Sequence, residues 1–142
     1  MSHTTTIKSV EIRDVHALKA AIKELREKGV DCTLLENETP KAFYANQAGM
    51  SEVAAYVLRS PHVAYDVAFY WDAPKKSLEM RTDLYGGSVA RSYGNGTDAP
   101  LGKLLQLYSK HAVIRQAAKQ GYRVAHRELA DGSIKLTVTG MN

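Results

Sequence analysis

The chain has 142 residues, 44% hydrophobic and 24% charged, with a formal net charge of +4 and a pI near 9.2. A single domain spanning 1–142 can bury roughly two-thirds of its unfolded surface, so this composition excludes a disordered chain and a mini-protein stapled by disulfides. Cys32 is the lone cysteine, no stretch has the apolar core of a signal peptide, and no apolar run nears the ~18 residues of a membrane span; the expectation is a soluble cytoplasmic protein with no membrane partner.

His3 to Ile12 is rich in threonine and β-branched residues and predicts a first strand that stops at Arg13-Asp14. Asp14 fits a helix N-cap, Val15, Leu18, Ile22 and Leu25 recur at helical spacing, and Gly29 follows basic Arg26 and Lys28 as a stop. The lysines and glutamates on the opposite face read as solvated. From Val30 the period becomes two, through Cys32 and Leu34, until Asn37 to Pro40 marks a turn, and a short strand around Ala42 to Ala45 is expected to return. Ser51 to Arg59 fits strand or helix and ends at Ser60-Pro61. Val63 to Trp71 and Leu78 to Tyr85 predict a hairpin with Phe69 and Trp71 in the core.

Gly86 to Pro100 holds four glycines and reads as a mobile surface connection, with Asp98 near the cap of the next helix and Pro100 in its first turn. It has neither the GxxxxGK[ST] nor the GxGxxG spacing of phosphate loops. Arg91 and Tyr93 remain as candidate ligand-binding residues, able to clamp a base or a protein by charge and stacking. Leu101 to Gln120 predicts a second helix closed by Gly121. Tyr122 to Leu129 and Ile134 to Thr139 predict a hairpin around Ala130-Asp131-Gly132. The plan helix, glycine, strand, turn, strand thus occurs twice, and the expected fold is α+β: a two-layer sandwich, mostly antiparallel, with two main helices on one face and a possible pseudo-repeat.

At 100° per residue, Leu101, Leu104, Leu105, Leu107, Tyr108, Ala112, Ile114 and Ala118 form the arc of the second helix that should meet the sheet. His111 and Arg115 fall in the same sector. Polar groups turned inward must be paired. Two readings stay open: His111 bonds a backbone carbonyl and Arg115 a carboxylate such as Asp83 or Glu79, or Tyr108, His111 and Arg115 edge a pocket whose anionic ligand supplies the acceptor.

The stretches LLQLYSKHAVIRQAAKQGYRV and SHTTTIKSVEIRD, with YDVAFYWDAPKKSLEMRTDL between them, resemble the hypothetical chloroplast reading frame thirty-five family, a domain of unknown function found in plastids, cyanobacteria, other bacteria and phages. Ser2, His3, Ile7, Lys8, Tyr108, His111, Gly121, Asp131 and Gly132 occupy family-like positions. Arg115 stands where relatives tend to carry an acidic residue, and Lys110 where an aromatic is common. The resemblance implies no reaction, substrate or partner.

The functional expectation is a non-catalytic binding module for an anionic ligand, nucleic acid or a nucleotide-like small molecule, in a protein that fits a phage-encoded setting. Its candidate ligand-binding residues are Tyr108, His111, Arg115, Arg91, Tyr93 and His3. The alternative is a protein-interaction or accessory subunit, with a homo-oligomer a reasonable form. An enzyme ranks third: His3 and His111 with Asp66 or Asp83 are its only candidates, and neither HExxH nor a nucleophile elbow is present. No cofactor and no metal is expected.

Overall fold

A computed structural model describes the backbone of residues 4–42, 50–95, 100–131 and 133–140, with side chains from residue 11 onward except that of residue 85. His3, the Asp98 cap, Gly132 and all but the first residue of the strand expected from Ala42 to Ala45 lie outside the described residues.

The fold is α+β. Strands β1 (Thr4–Ile12), β2 (Thr33–Glu38), β3 (Ala54–Arg59), β4 (Val67–Asp72) and β5 (Ser77–Asp83) form one antiparallel sheet in the order β1-β5-β4-β3-β2. Helices α1 (Val15–Glu27), α2 (Ser88–Tyr93) and α3 (Gly102–Lys119) complete the core, and β6 (Tyr122–Glu128) pairs with β7 (Ile134–Gly140) in a separate two-stranded sheet. Each of α1 and α3 is followed by an antiparallel strand pair, β2–β3 within the five-stranded sheet and β6–β7 apart from it; β3 is not the return strand expected at 42–45.

Helix α1 forms where the pattern places it. Asp14 is its N-cap, with Oδ1 accepting from the Ala17 amide at 3.1 Å, and Leu18, Ile22 and Leu25 are buried. Gly29, at φ +98°, supplies the left-handed turn that ends it. Across the sheet, Tyr56 stands opposite Phe69 and Phe69 opposite Met80, so these side chains share the face covered by the helices. Leu58, Val67, Phe69, Leu78 and Met80 pack there with Leu18 and Ile22 of α1 and Leu101, Leu104 and Tyr108 of α3. The opposite face has its own smaller cluster of Met50, Ala54, Val57 and Ala68.

Two local expectations are corrected, Trp71 and the 86–100 connection, and one open reading is resolved. Trp71, expected in the core, is 53% exposed: it occupies the pair next to the Asp72–Ser77 end of the hairpin, where the sheet runs out. The ambiguous 51–59 stretch is strand β3 from Ala54 on. The first part of the supposed mobile connection is folded, as a 3-10 turn over Tyr85–Gly87 followed by α2, with Gly86 and Gly87 at φ +79° and +78° providing the bend. Val89 and Tyr93 anchor α2 in the core.

Candidate functional site

Helix α3 lies against α1, and the polar stripe foreseen on it faces α1. Tyr108 is buried, and its hydroxyl accepts from the backbone N–H groups of Arg13 and Asp14 at 3.0 and 3.2 Å. One turn on, His111 Nε2 lies 2.8 Å from Glu24 Oε1, and a further turn on, Arg115 Nε donates to Asp14 Oδ2 at 2.8 Å. The three residues are thus brought together along one seam, where Glu24 of α1 and the two residues that lead into it, Arg13 and Asp14, supply their partners. The acceptor for Arg115 is Asp14, rather than Asp83 or Glu79. His3 is outside the described residues.

The seam also holds a residue that pattern reading left aside. Lys110 is 7% exposed, and its Nζ lies 2.7 Å from Glu24 Oε1 and 3.0 Å from Oε2. Burial pushes the Glu24 carboxyl up, but bonds from Lys110 and His111 outweigh it and hold the carboxyl below the usual 4.5. An ionised carboxylate only accepts, so Nε2 of His111 carries the proton in this contact. Asp14 behaves alike: burial raises it, while Arg115 and the Ala17 amide more than offset that and bring it below 3.8. The signal for Glu24 lay in its heptad neighbourhood, between Ala21 and Leu25, which are both buried.

Glu24 and Lys110 do not close the seam to solvent. They form one wall of a cleft of about 350 Å³ between α1, the first half of α3 and the β6–β7 hairpin, whose other charged lining comprises Lys28, Lys103 and Glu128, with His126 beside them. Lys28 lies 3.6 Å from Glu128. Lys103 is half-buried in the first turn of α3 and has no hydrogen-bond or ion-pair partner among the described residues. Among the described residues, the cleft therefore presents one unpaired ammonium beside two paired ones.

The remaining predicted residues lie elsewhere. Tyr93 is fully buried at the end of α2, its hydroxyl has no partner among the described residues, and burial pushes its pKa up. Arg91 is exposed and folds back to donate to the Gly86 carbonyl at 3.1 Å. Asp66 is buried and accepts from Arg59 Nη2 and the Lys41 amide, each at 2.8 Å, which ties it to β3 rather than to His111. Burial raises the Cys32 thiol, which favours its protonated form. Among the described residues, no three His, Cys, Asp or Glu side chains gather as metal ligands, and no helix is long and apolar enough to cross a membrane.

Fold and site together define a small α+β domain with a polar seam between its helices and a cationic cleft beside it. The chain belongs to the family of proteins of unknown function DUF1257, which matches residues 30–137. The matched span contains Lys110, His111 and Arg115, whereas Asp14 and Glu24 precede it. No curated protein and no solved structure gives a significant match.

Proposed function

We propose that this protein is a non-catalytic binding module for an anionic ligand, a nucleotide-like small molecule held in the cleft between α1, α3 and the β6–β7 hairpin. The observation that carries this reading is Lys103, a half-buried ammonium with no hydrogen-bond or ion-pair partner among the described residues, on a concave wall it shares with Lys28 and Lys110. A ligand phosphate or carboxylate is the missing counter-charge, and the amino end of α3 adds a favourable dipole. The volume is at the small end of ligand sites. Tyr108, His111 and Arg115 act here by holding α3 on α1, so that the cleft wall keeps its shape.

The test is a thermal-shift panel of inorganic phosphate, pyrophosphate and nucleoside mono-, di- and triphosphates. A bound anion at a hundred times its Kd stabilises by about 2.7 kcal/mol, and Lys103→Glu abolishes that shift while leaving the unliganded melting temperature unchanged. No shift with any anion overturns the reading.

Within DUF1257, the opening and closing motifs around Ser2 and His111 support placing the chain in the chloroplast reading frame thirty-five group, whose phage members make a phage-encoded setting fit. The lone buried Cys32 supports a cytoplasmic location. A second reading, an accessory subunit or homo-oligomer, is favoured by one observation: Trp71, Tyr122 and Val138 are large apolar side chains about half exposed.

A further inference from the structure

The β6–β7 hairpin has two unlike faces. Its register sets Arg123 opposite Thr139, Ala125 opposite Thr137 and Arg127 opposite Lys135, and paired residues of a ladder share a face. All six are exposed. The other face carries Val124, Ile134 and Leu136, which are half-buried, and Ile134 packs against the core. The ribbon therefore lies on α3 by its apolar side and turns its basic side out.

That basic side has no carboxylate. Arg123, Arg127 and Lys135 make no hydrogen bond or ion pair with any described residue. Arg123 and Arg127 are four residues apart, about 13 Å along a strand, while Arg127 and Lys135 stand about 5 Å apart across the ribbon. Ala125, Thr137 and Thr139 between them are short, and a shallow groove of about 220 Å³ is lined by Ala125, Arg127, Lys135 and Thr137 together with His126.

We propose that this face is a docking surface for duplex DNA, entered as a two-stranded β-ribbon in the major groove. That groove is about 12 Å wide and admits such a ribbon, whose strands are only about 4.8 Å apart. Arginines reach phosphate oxygens or guanine edges, and the threonine hydroxyls serve either. The A-form groove of duplex RNA is too narrow and deep for the same approach. Single strands are bound largely by stacking on aromatic rings, and this face has none. The surface is separate from the Lys103 cleft and stands whether or not the cleft binds a small anion.

Fluorescence anisotropy with a labelled duplex DNA, titrated with salt, tests it on the full chain. Wild type binds with an affinity that falls as salt rises, with a log–log slope near −2 to −3 for up to three neutralised phosphates. The triple variant R123S/R127S/K135S loses binding at least tenfold and keeps the wild-type melting temperature; Lys103→Glu keeps the DNA affinity. Ala125→Glu puts a carboxylate in the middle of the face and is the second variant, with the same loss expected. Unchanged binding in either hairpin variant overturns the proposal. So does equal or tighter binding of duplex RNA, single-stranded DNA of the same sequence or polyglutamate.

Discussion

The five-stranded sheet and the β6–β7 hairpin follow the same antiparallel pairing and differ in what covers them. Strand β4 begins with three buried residues, Val67, Ala68 and Phe69, because α1 and α3 cover one face and the Met50, Ala54 and Val57 cluster the other. Neither β6 nor β7 has one buried residue. Two strands alone are marginal in water, so the hairpin is held by its seat on α3 and by its turn, where Asp131 Oδ1 accepts from the Ser133 hydroxyl and amide at 2.6 and 3.0 Å. Burial dictates residue choice in the sheet. In the hairpin it dictates only Val124, Ile134 and Leu136, and the remaining positions are open to surface chemistry.

The contrast can be broken by mutation, most severely in the sheet. Phe69→Ala empties a fully buried site and is expected to cost about 3–5 kcal/mol, read as a lower denaturant midpoint at an unchanged slope. Glu24→Gln removes the charge that pairs buried Lys110, at about 2–3 kcal/mol. The double variant Glu24→Leu with Lys110→Met is expected to be more stable than Glu24→Gln, because no ammonium is then left uncompensated; a double variant that is less stable refutes this account of the seam.

Acid sharpens the same contrast. Asp14 and Glu24 titrate below their ordinary values of 3.8 and 4.5 when folded. Because the folded values are the lower ones, the stability they contribute is complete above the unfolded values and is lost as pH falls through the folded ones. The melting temperature should therefore hold from neutrality to about pH 5 and fall below about pH 4, and Asp14→Asn with Glu24→Gln should flatten that fall. The smallest effect belongs to the hairpin: Val138→Thr, at a half-exposed position, should change stability by less than about 0.5 kcal/mol. Hydrogen exchange gives the companion measurement, with β6 and β7 amides exchanging well before those of β4 and β5.

Local features were legible in the sequence. The Asp14 cap, the α1 face, the stop at Gly29 and the Asp131 turn all follow from short-range rules, and helical spacing alone placed Tyr108, His111 and Arg115 on one stripe. Their partners were not legible, because spacing within α3 says nothing about which element lies opposite; Glu24 and Asp14 come from a helix about ninety residues earlier. Lys110 escaped because lysine is ordinarily solvated, and only Glu24 makes its burial tolerable. Tyr93 falls among glycines and so reads as a ligand contact on a mobile connection, whereas two left-handed glycines bend the chain so that α2 delivers the ring to the core. Trp71 failed in the opposite direction: its alternation was right, but its position at a sheet end was invisible.

The hydroxyl of Tyr108 holds the backbone that enters α1, at Arg13, across 95 residues of chain. During synthesis α1 leaves the ribosome before α3; Asp14 caps the Ala17 amide locally, but the amides of Arg13 and Asp14 wait for the Tyr108 hydroxyl to be made. Strand β1 waits likewise for β5. The earlier-made member of each pair is thus secured only when the later one arrives, a non-local order that slows folding and makes a nascent chain halted before α3 a natural client for chaperones.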